Sequence, residues 1–281
     1  MDLINFFIIF LIGLIISIFC TKKKSKINFL SKDDLRFLIL LDQDKYIENF
    51  NDLDKIVRKC KSNCKKIYVK NLTEFTENQK NIITYCIKII DKQYKDTFYK
   101  ELKYIPWNIA CTNQNIDNGF PHTRGNIILI SDKYIPDIKL NQLDEQNFLN
   151  ITRVLLHEKI HIFQRLFPKK TLNFYNEIGF QEIPNFKLSQ KFQNIRRSNP
   201  DLDNKFYKIN IDNIDVIPIE IYKNNPQNLL DSNLEFLDIN YNKIDINPNK
   251  LQQIFPLSSQ LEHPSEIMAT MLSNKFNPKR I

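Results

Sequence analysis

Three rhythms of apolar and polar residues divide this chain. Residues 3–20 are apolar apart from Asn5 and Ser17. As a helix rising 1.5 Å per residue, such a stretch spans about 27 Å, enough for a bilayer core. Further on the period is helical. Ile82, Ile83, Cys86, Ile87, Ile90 and Tyr94 form one stripe, behind Thr76 and Gln79 at capping-box spacing. Phe148, Ile151, Leu155 and Ile162 form another, with Asp144 as N-cap and Pro168 beyond its end. A last helix is expected from Pro264 to just before Asn277-Pro278, because proline suits a first helical position and not an interior one. The third rhythm is extended. Residues 107–111 and 126–131 read as strands around a turn-rich segment, and Val216-Ile217 and Ile219-Glu220-Ile221-Tyr222 suggest more. Between 170 and 255 the pattern is weakest, with turns at Asn199-Pro200-Asp201 and Asn225-Pro226.

These elements predict an α+β protein in three parts. Residues 1–21 are expected as a transmembrane anchor, 22–30 as a basic tether and 31–281 as the folded domain. Within that domain, 31–104 is expected to be mainly helical, and 105–281 mixes strands with helices. At 281 residues and 42% hydrophobic, the chain can bury a sizeable core.

Charge adds an orientation. Lys22, Lys23, Lys24 and Lys26 follow the apolar stretch, whereas only the terminal amine and Asp2 precede it. The positive-inside rule then puts the main domain of a single-pass protein on the cytosolic side. A cleaved signal peptide fits less well, because the start is acidic and Ile18-Phe19-Cys20 is bulky. The net charge is +8; removing residues 1–26 takes away four lysines and one aspartate and leaves +5, scattered. No Arg-rich run or aromatic-basic interleaving occurs, so nucleic acid is not an expected partner. The five cysteines (Cys20, Cys60, Cys64, Cys86 and Cys111) are odd in number and lack zinc-knuckle spacing. Free thiols in a reducing compartment are the expectation.

The candidate chemistry lies in His157-Glu158-Lys159-Ile160-His161, which uses two of only four histidines. On a helix, residues four apart share a face, so His157 and His161 can reach one zinc ion. Glu158 projects about 100° away, placed to act as general base on a zinc-bound water. A catalytic zinc site wants a third protein ligand, and Glu266, in the first turn of the last helix, is the candidate. A capping role for Glu266 is the competing assignment, since with His263 as N-cap it falls at N3. His263 and Glu262 are reserve ligands, or groups that orient an imidazole. Gly119 and Gly125 bracket Phe120-Pro121-His122-Thr123-Arg124, just ahead of an apolar strand. His122 could donate to a developing oxyanion, and Tyr175, Tyr207, Tyr222 or Tyr241 could fill the same role.

With its HExxH segment and a later glutamate, the chain resembles the zincin metallopeptidases of the gluzincin type. Residues 155–165, the Pro-His-Thr strand entry, Asn199-Pro200-Asp201 and His263-Pro264-Ser265-Glu266 are also similar to uncharacterised metallopeptidases of large DNA viruses. The resemblance covers roughly residues 100–275. It implies zinc, a catalytic Glu158, a mixed sheet packed on the active-site helix, and a peptide or protein substrate. It also implies that the strand at 126–131 edges the cleft and pairs with an extended peptide, and that the site of anchoring is a virion or internal host membrane. Two features depart from the pattern. The gap from His161 to Glu266 is long, and Thr270 stands where some members carry an aspartate supporting a zinc histidine. Two other functions fit the same residues: a membrane-tethered, non-enzymatic protein that keeps a zincin fold, and a zinc hydrolase acting on a non-peptide acyl group.

Overall fold

The computed structural model describes residues 26–94 and 100–280. The anchor expected at residues 1–21 lies outside them. Among the described residues, no helix is long and apolar enough to cross a membrane.

The fold is α+β. Its first sheet contains β1 (Ile27–Phe29), β2 (Leu72–Thr73), β3 (Trp107–Thr112), β4 (His122–Arg124) and β5 (Ile127–Ser131), in the order β1-β3-β5-β4. β1, β3 and β5 are parallel, β4 is antiparallel to β5, and β2 runs antiparallel beside the end of β3. Residues 27–29, expected in a tether, are therefore part of the sheet. The helices of the N-terminal part are α1 (Lys32–Leu41), α2 (Asp52–Val57), α3 (Cys64–Lys70) and α4 (Glu77–Gln93). Thr76 and Gln79 cap α4 reciprocally, as their spacing predicts.

Strands β3 and β5 are apolar on both faces because both faces are covered. Alternate residues point opposite ways. Ile109, Cys111, Ile128 and Ile130 enter the main core, which includes residues of α4. Ala110, Ile127 and Leu129 enter a second core with Leu35, Ile39 and Tyr68 from α1 and α3. Helix α5 (Glu145–Leu166), capped by Asp144 through the Asn147 N–H, packs on β4, β5 and α4. It is followed by α6 (Pro168–Glu177). From Leu155 to Gln164 the helix is buried nearly all round, Lys159 included, whose Nζ lies 3.7 Å from the Trp107 ring centroid and 3.7 Å from Asp91.

The weakly patterned region forms a second, antiparallel sheet: β6 (Phe180–Glu182), β7 (Tyr207–Ile211), β8 (Ile214–Tyr222) and β9 (Ser232–Leu237), with the short α7 (Gln190–Gln193) between β6 and β7. β8 is one strand where the sequence suggested two fragments. Pro218 interrupts the pattern but not the strand. Its even-numbered neighbours turn their backbone groups away from β9: Tyr222 N–H donates to Ile195 and Glu220 C=O accepts from Arg197. β7 pairs only as far as Val216, so the missing N–H of Pro218 costs no ladder bond. The chain closes with α8 (Asn249–Ile254) and α9 (Pro264–Lys275).

Arg58 joins these parts. Its guanidinium donates to Asp54, Asp117, Tyr46 and Tyr222 side chains and to the Ser198 carbonyl, all at 2.6–3.1 Å. Cys60 and Cys64 form a disulfide with Cα atoms 4.6 Å apart, where free thiols were expected. Only Cys86 and Cys111 are free and buried among the described residues.

Candidate metal centre

Helix α5 puts His157 and His161 on one face, as residues four apart must be. Helix α9 runs antiparallel beside it. Near one end Gln164 of α5 donates to the Ser265 carbonyl; at the other, Arg153 donates to the Phe276 carbonyl. The N-terminus of α9 is capped by the His263 ring, whose Nδ1 accepts the Ser265 N–H at 3.1 Å. That cap leaves the Glu266 side chain free to face α5, although N3 is a position where glutamate often serves the backbone.

Three atoms converge there. His157 Nε2 and His161 Nε2 are 3.0 Å apart, and Glu266 Oε2 is 3.3 Å and 3.5 Å from them. Ligands of one tetrahedral zinc lie about 3.3 Å apart when bonds are ~2.0–2.2 Å. The circle through atoms spaced 3.0, 3.3 and 3.5 Å has a radius of about 1.9 Å, so such an ion fits just off their plane.

The donor chemistry agrees. Gln164 Nε2 must donate to the Ser265 carbonyl, which fixes its Oε1 as the acceptor of the His161 Nδ1–H at 2.9 Å. His161 Nε2 is then a lone-pair nitrogen in the neutral ring. It faces a second imidazole and a carboxylate, an arrangement that calls for a cation between them. Without metal a proton takes that place. Burial pushes the His161 pKa down, but the Glu266 and Asp201 carboxylates outweigh it and raise the pKa to about 9. Burial likewise pushes Glu266 up, and the two histidines outweigh it and hold the carboxyl well below its usual range.

Glu158 projects elsewhere, 3% exposed, with Oε2 free of any hydrogen bond. Burial, then Asp201 and Glu266, hold its carboxyl well above the ordinary range against the opposing pull of His161. Single ligand atoms of Glu158, His161 and Asp201 also lie within 4.8 Å of one another, an alternative metal grouping. It is the poorer one, because Asp201 Oδ1 already accepts the Thr123 N–H and hydroxyl.

Supporting groups come from places the periodicity did not mark. Gln164, three residues after His161, orients that ring. Asn199 Nδ2 holds Glu266 Oε1 at 2.8 Å, and Gln260 Nε2 approaches Oε2 at 3.4 Å. An i,i+3 search from His161 would have found Gln164. Asn199 and Asp201 gave no signal beyond a turn and the viral resemblance.

The reserve ligands are engaged elsewhere: Glu262 pairs with Arg197 at 2.8 Å, and His263 Nε2 is 3.3 Å from Asp203. The four tyrosines are engaged as well, Tyr175 with Ser265, Tyr207 with Asp203, Tyr222 with Asp54 and Arg58, and Tyr241 with the Lys187 carbonyl. A phenol that does line the cavity, Tyr134, has its pKa raised by burial and by Glu158.

His157, Glu158, Glu266 and His122 all line one cavity of about 640 Å³. Gly119, at φ +74°, turns the chain into β4 and brings His122 there. The ring nitrogens of His122, however, face the Phe120 carbonyl at 3.0 Å and Asp117 at 3.6 Å rather than His157, His161 and Glu266. Strand β4 is a sheet edge, but not an open one. Pro121 has no N–H, Thr123 gives its own to Asp201, and Arg165 covers the Thr123 hydroxyl and the Gly125 carbonyl. The strand expected to edge the cleft, residues 126–131, is β5, which lies inside the sheet between β3 and β4 and so offers no edge to a substrate.

Family models, curated proteins and solved structures were compared with the chain, and none matches.

Proposed function

We propose that this chain is a zinc-dependent peptide hydrolase with a zincin-like domain, attached to a membrane through residues 1–21. The observation that carries this is the convergence of His157, His161 and Glu266 at 3.0–3.5 Å beside a buried, hydrogen-bond-free Glu158 oxygen. Bound zinc supplies Lewis acidity, lowering the pKa of water toward ~7 and polarising an acyl oxygen. Glu158 takes the proton of the attacking water at its carboxylate and passes it to the leaving amine. A carboxyl whose proton affinity is raised by burial and by Asp201 suits both halves of that transfer. Asn199 and Gln164 hold Glu266 and His161 in register.

The test is zinc content and cleavage of a quenched-fluorescent peptide library by the full-length protein. One zinc per chain is expected, with Glu158→Gln keeping the metal and losing ~10²–10⁴-fold in kcat. Zinc without Glu158-dependent cleavage of any peptide would move the protein to the non-enzymatic reading. The closed edge of β4 favours a second reading, hydrolysis of a compact acyl substrate that needs no strand pairing. Ester and amide substrates added to the same screen separate the two.

Two signals for orientation oppose each other. Lys22, Lys23, Lys24 and Lys26 put the domain on the cytosolic face. The Cys60–Cys64 disulfide belongs in an oxidising compartment. Protease protection of a C-terminal tag in sealed vesicles decides between them.

A further inference from the structure

We infer that the Arg153 end of the cavity is a carboxylate-binding subsite for the substrate. The inference rests on the peptide-hydrolase reading of the metal centre and adds to it the class of group recognised. Three arginines line the cavity: Arg58, Arg153 and Arg197. Arg58 is paired with Asp54 and Asp117, and Arg197 with Glu262. Arg153 has no carboxylate among the described residues. Among those residues its one hydrogen-bond partner is the Phe276 carbonyl, which its Nε meets at 3.4 Å. That contact serves the C-terminus of α9 and accounts for Nε. It leaves the Nη1/Nη2 fork, the part of arginine that matches a carboxylate in two parallel hydrogen bonds, without an acceptor.

The position of this guanidinium is set by the metal-binding helix itself. Arg153, His157 and His161 are spaced i, i+4, i+8 and share one face of α5. Opposite them on α9, Thr270 and Asn274 follow Glu266 by one and two turns and line the same end of the cavity. No acidic residue stands on those turns; Glu262 and Glu220, with Arg197, lie toward the other end of α9. Arg153 is one turn, ~6 Å, from His157, and Phe276 is ten residues, ~15 Å, beyond Glu266 along the helix. At about 3.3 Å per extended residue, the bound carboxylate sits roughly two to four residues from the scissile bond. Two sources supply that chemistry, the C-terminal carboxylate of a peptide and an aspartate or glutamate side chain.

The experiment uses zinc-loaded, full-length Glu158→Gln protein, which binds without turnover, and three sets of fluorescein-labelled Ala/Phe/Gly peptides. One set has a free C-terminus, one is amidated, and one is amidated with a single glutamate moved along the sequence. Fluorescence anisotropy is expected to show about tenfold or tighter binding of a carboxylate-bearing set over the neutral amides. Adding Arg153→Gln abolishes the preference and leaves neutral-amide binding unchanged, and Arg153→Lys keeps part of it. A gain for free-acid peptides names the C-terminal carboxylate; a gain for the glutamate set names the side chain. Equal binding of all three sets, or a preference that survives in Arg153→Gln, overturns the subsite. Because this readout needs no cleavage, a wild-type chain that binds carboxylate peptides but hydrolyses none counts against the peptidase reading alone.

Discussion

Replacing Gln164 by leucine tests the logic of the proposed metal centre at the group that would orient it. Gln164 is buried and makes two hydrogen bonds of 2.9 Å, one accepting the His161 Nδ1–H and one donating to the Ser265 carbonyl. Leucine fills nearly the same volume and makes neither. A buried donor and a buried acceptor lose their partners, at ~1–3 kcal/mol each, partly offset by the added apolar surface. We expect a net loss of about 2–4 kcal/mol in the stability of the metal-free protein. His161 also loses the bond that keeps its proton on Nδ1 and its lone pair on Nε2. Losing such an orienting bond typically weakens metal affinity ~10–100-fold, or about 1.4–2.7 kcal/mol. Competition with a chromophoric zinc chelator reads the affinity, and thermal melts with and without zinc read the stability. Gln164→Glu separates the two effects: it keeps an acceptor for Nδ1–H but no donor for Ser265, so stability falls while zinc affinity holds. Zinc affinity within twofold of wild type in Gln164→Leu would refute the orienting role.

The remaining predictions concern charge in buried places. His161 keeps its proton to about pH 9 when folded, against ~6.5 unfolded, so its contribution to metal-free stability is whole below ~6.5 and lost as pH rises through 9. Lys159 runs the other way: burial, against the pull of Asp91, lowers its pKa to about 7 from ~10.4 unfolded, so its contribution grows as pH rises from 7 toward 10. The wild-type melting temperature without metal should change little between pH 7 and 9, while Lys159→Met falls over that interval; a flat profile in that variant counts against the histidine assignment. Zinc must displace the His161 proton, so its apparent affinity should rise up to ~10-fold per pH unit from 7 to 9 and then level, measured by the same competition assay. Arg58→Met leaves Asp54 and Asp117 buried without their cation and should cost about 3–5 kcal/mol in denaturant unfolding, whereas a loss below 1 kcal/mol would show that the network adds little.

What was legible in the sequence was local. Asp144, Thr76 and Pro264 start helices through contacts within one turn, and the His157/His161 pair needs only helical spacing. Glu266 was reachable because a first-turn carboxylate has few places to point. The long-range part was not legible. Asn199 and Asp201 sit in a loop between two strands of the second sheet, and nothing in their spacing says that they meet α9 and β4. Strand β8 looked broken because a proline normally ends a ladder; only the short reach of β7 explains why Pro218 is tolerated. The disulfide is illegible for a similar reason: Cys60 precedes α3 and Cys64 begins it, and a spacing of four does not say that the chain turns between them.

Strand β1 has a bearing on where this protein can work. With residues 3–20 in a bilayer, only residues 21–26 remain before Ile27 enters the sheet beside Trp107. Six residues reach at most ~20 Å, close to the ~18 Å radius of gyration expected for a domain of about 255 residues. So short a leash lets the domain rock on the lipid surface but not roam from it. On the anchoring proposed above, whatever enters the cavity comes from the membrane's own neighbourhood: a flanking segment of another anchored chain, or a soluble one delivered there.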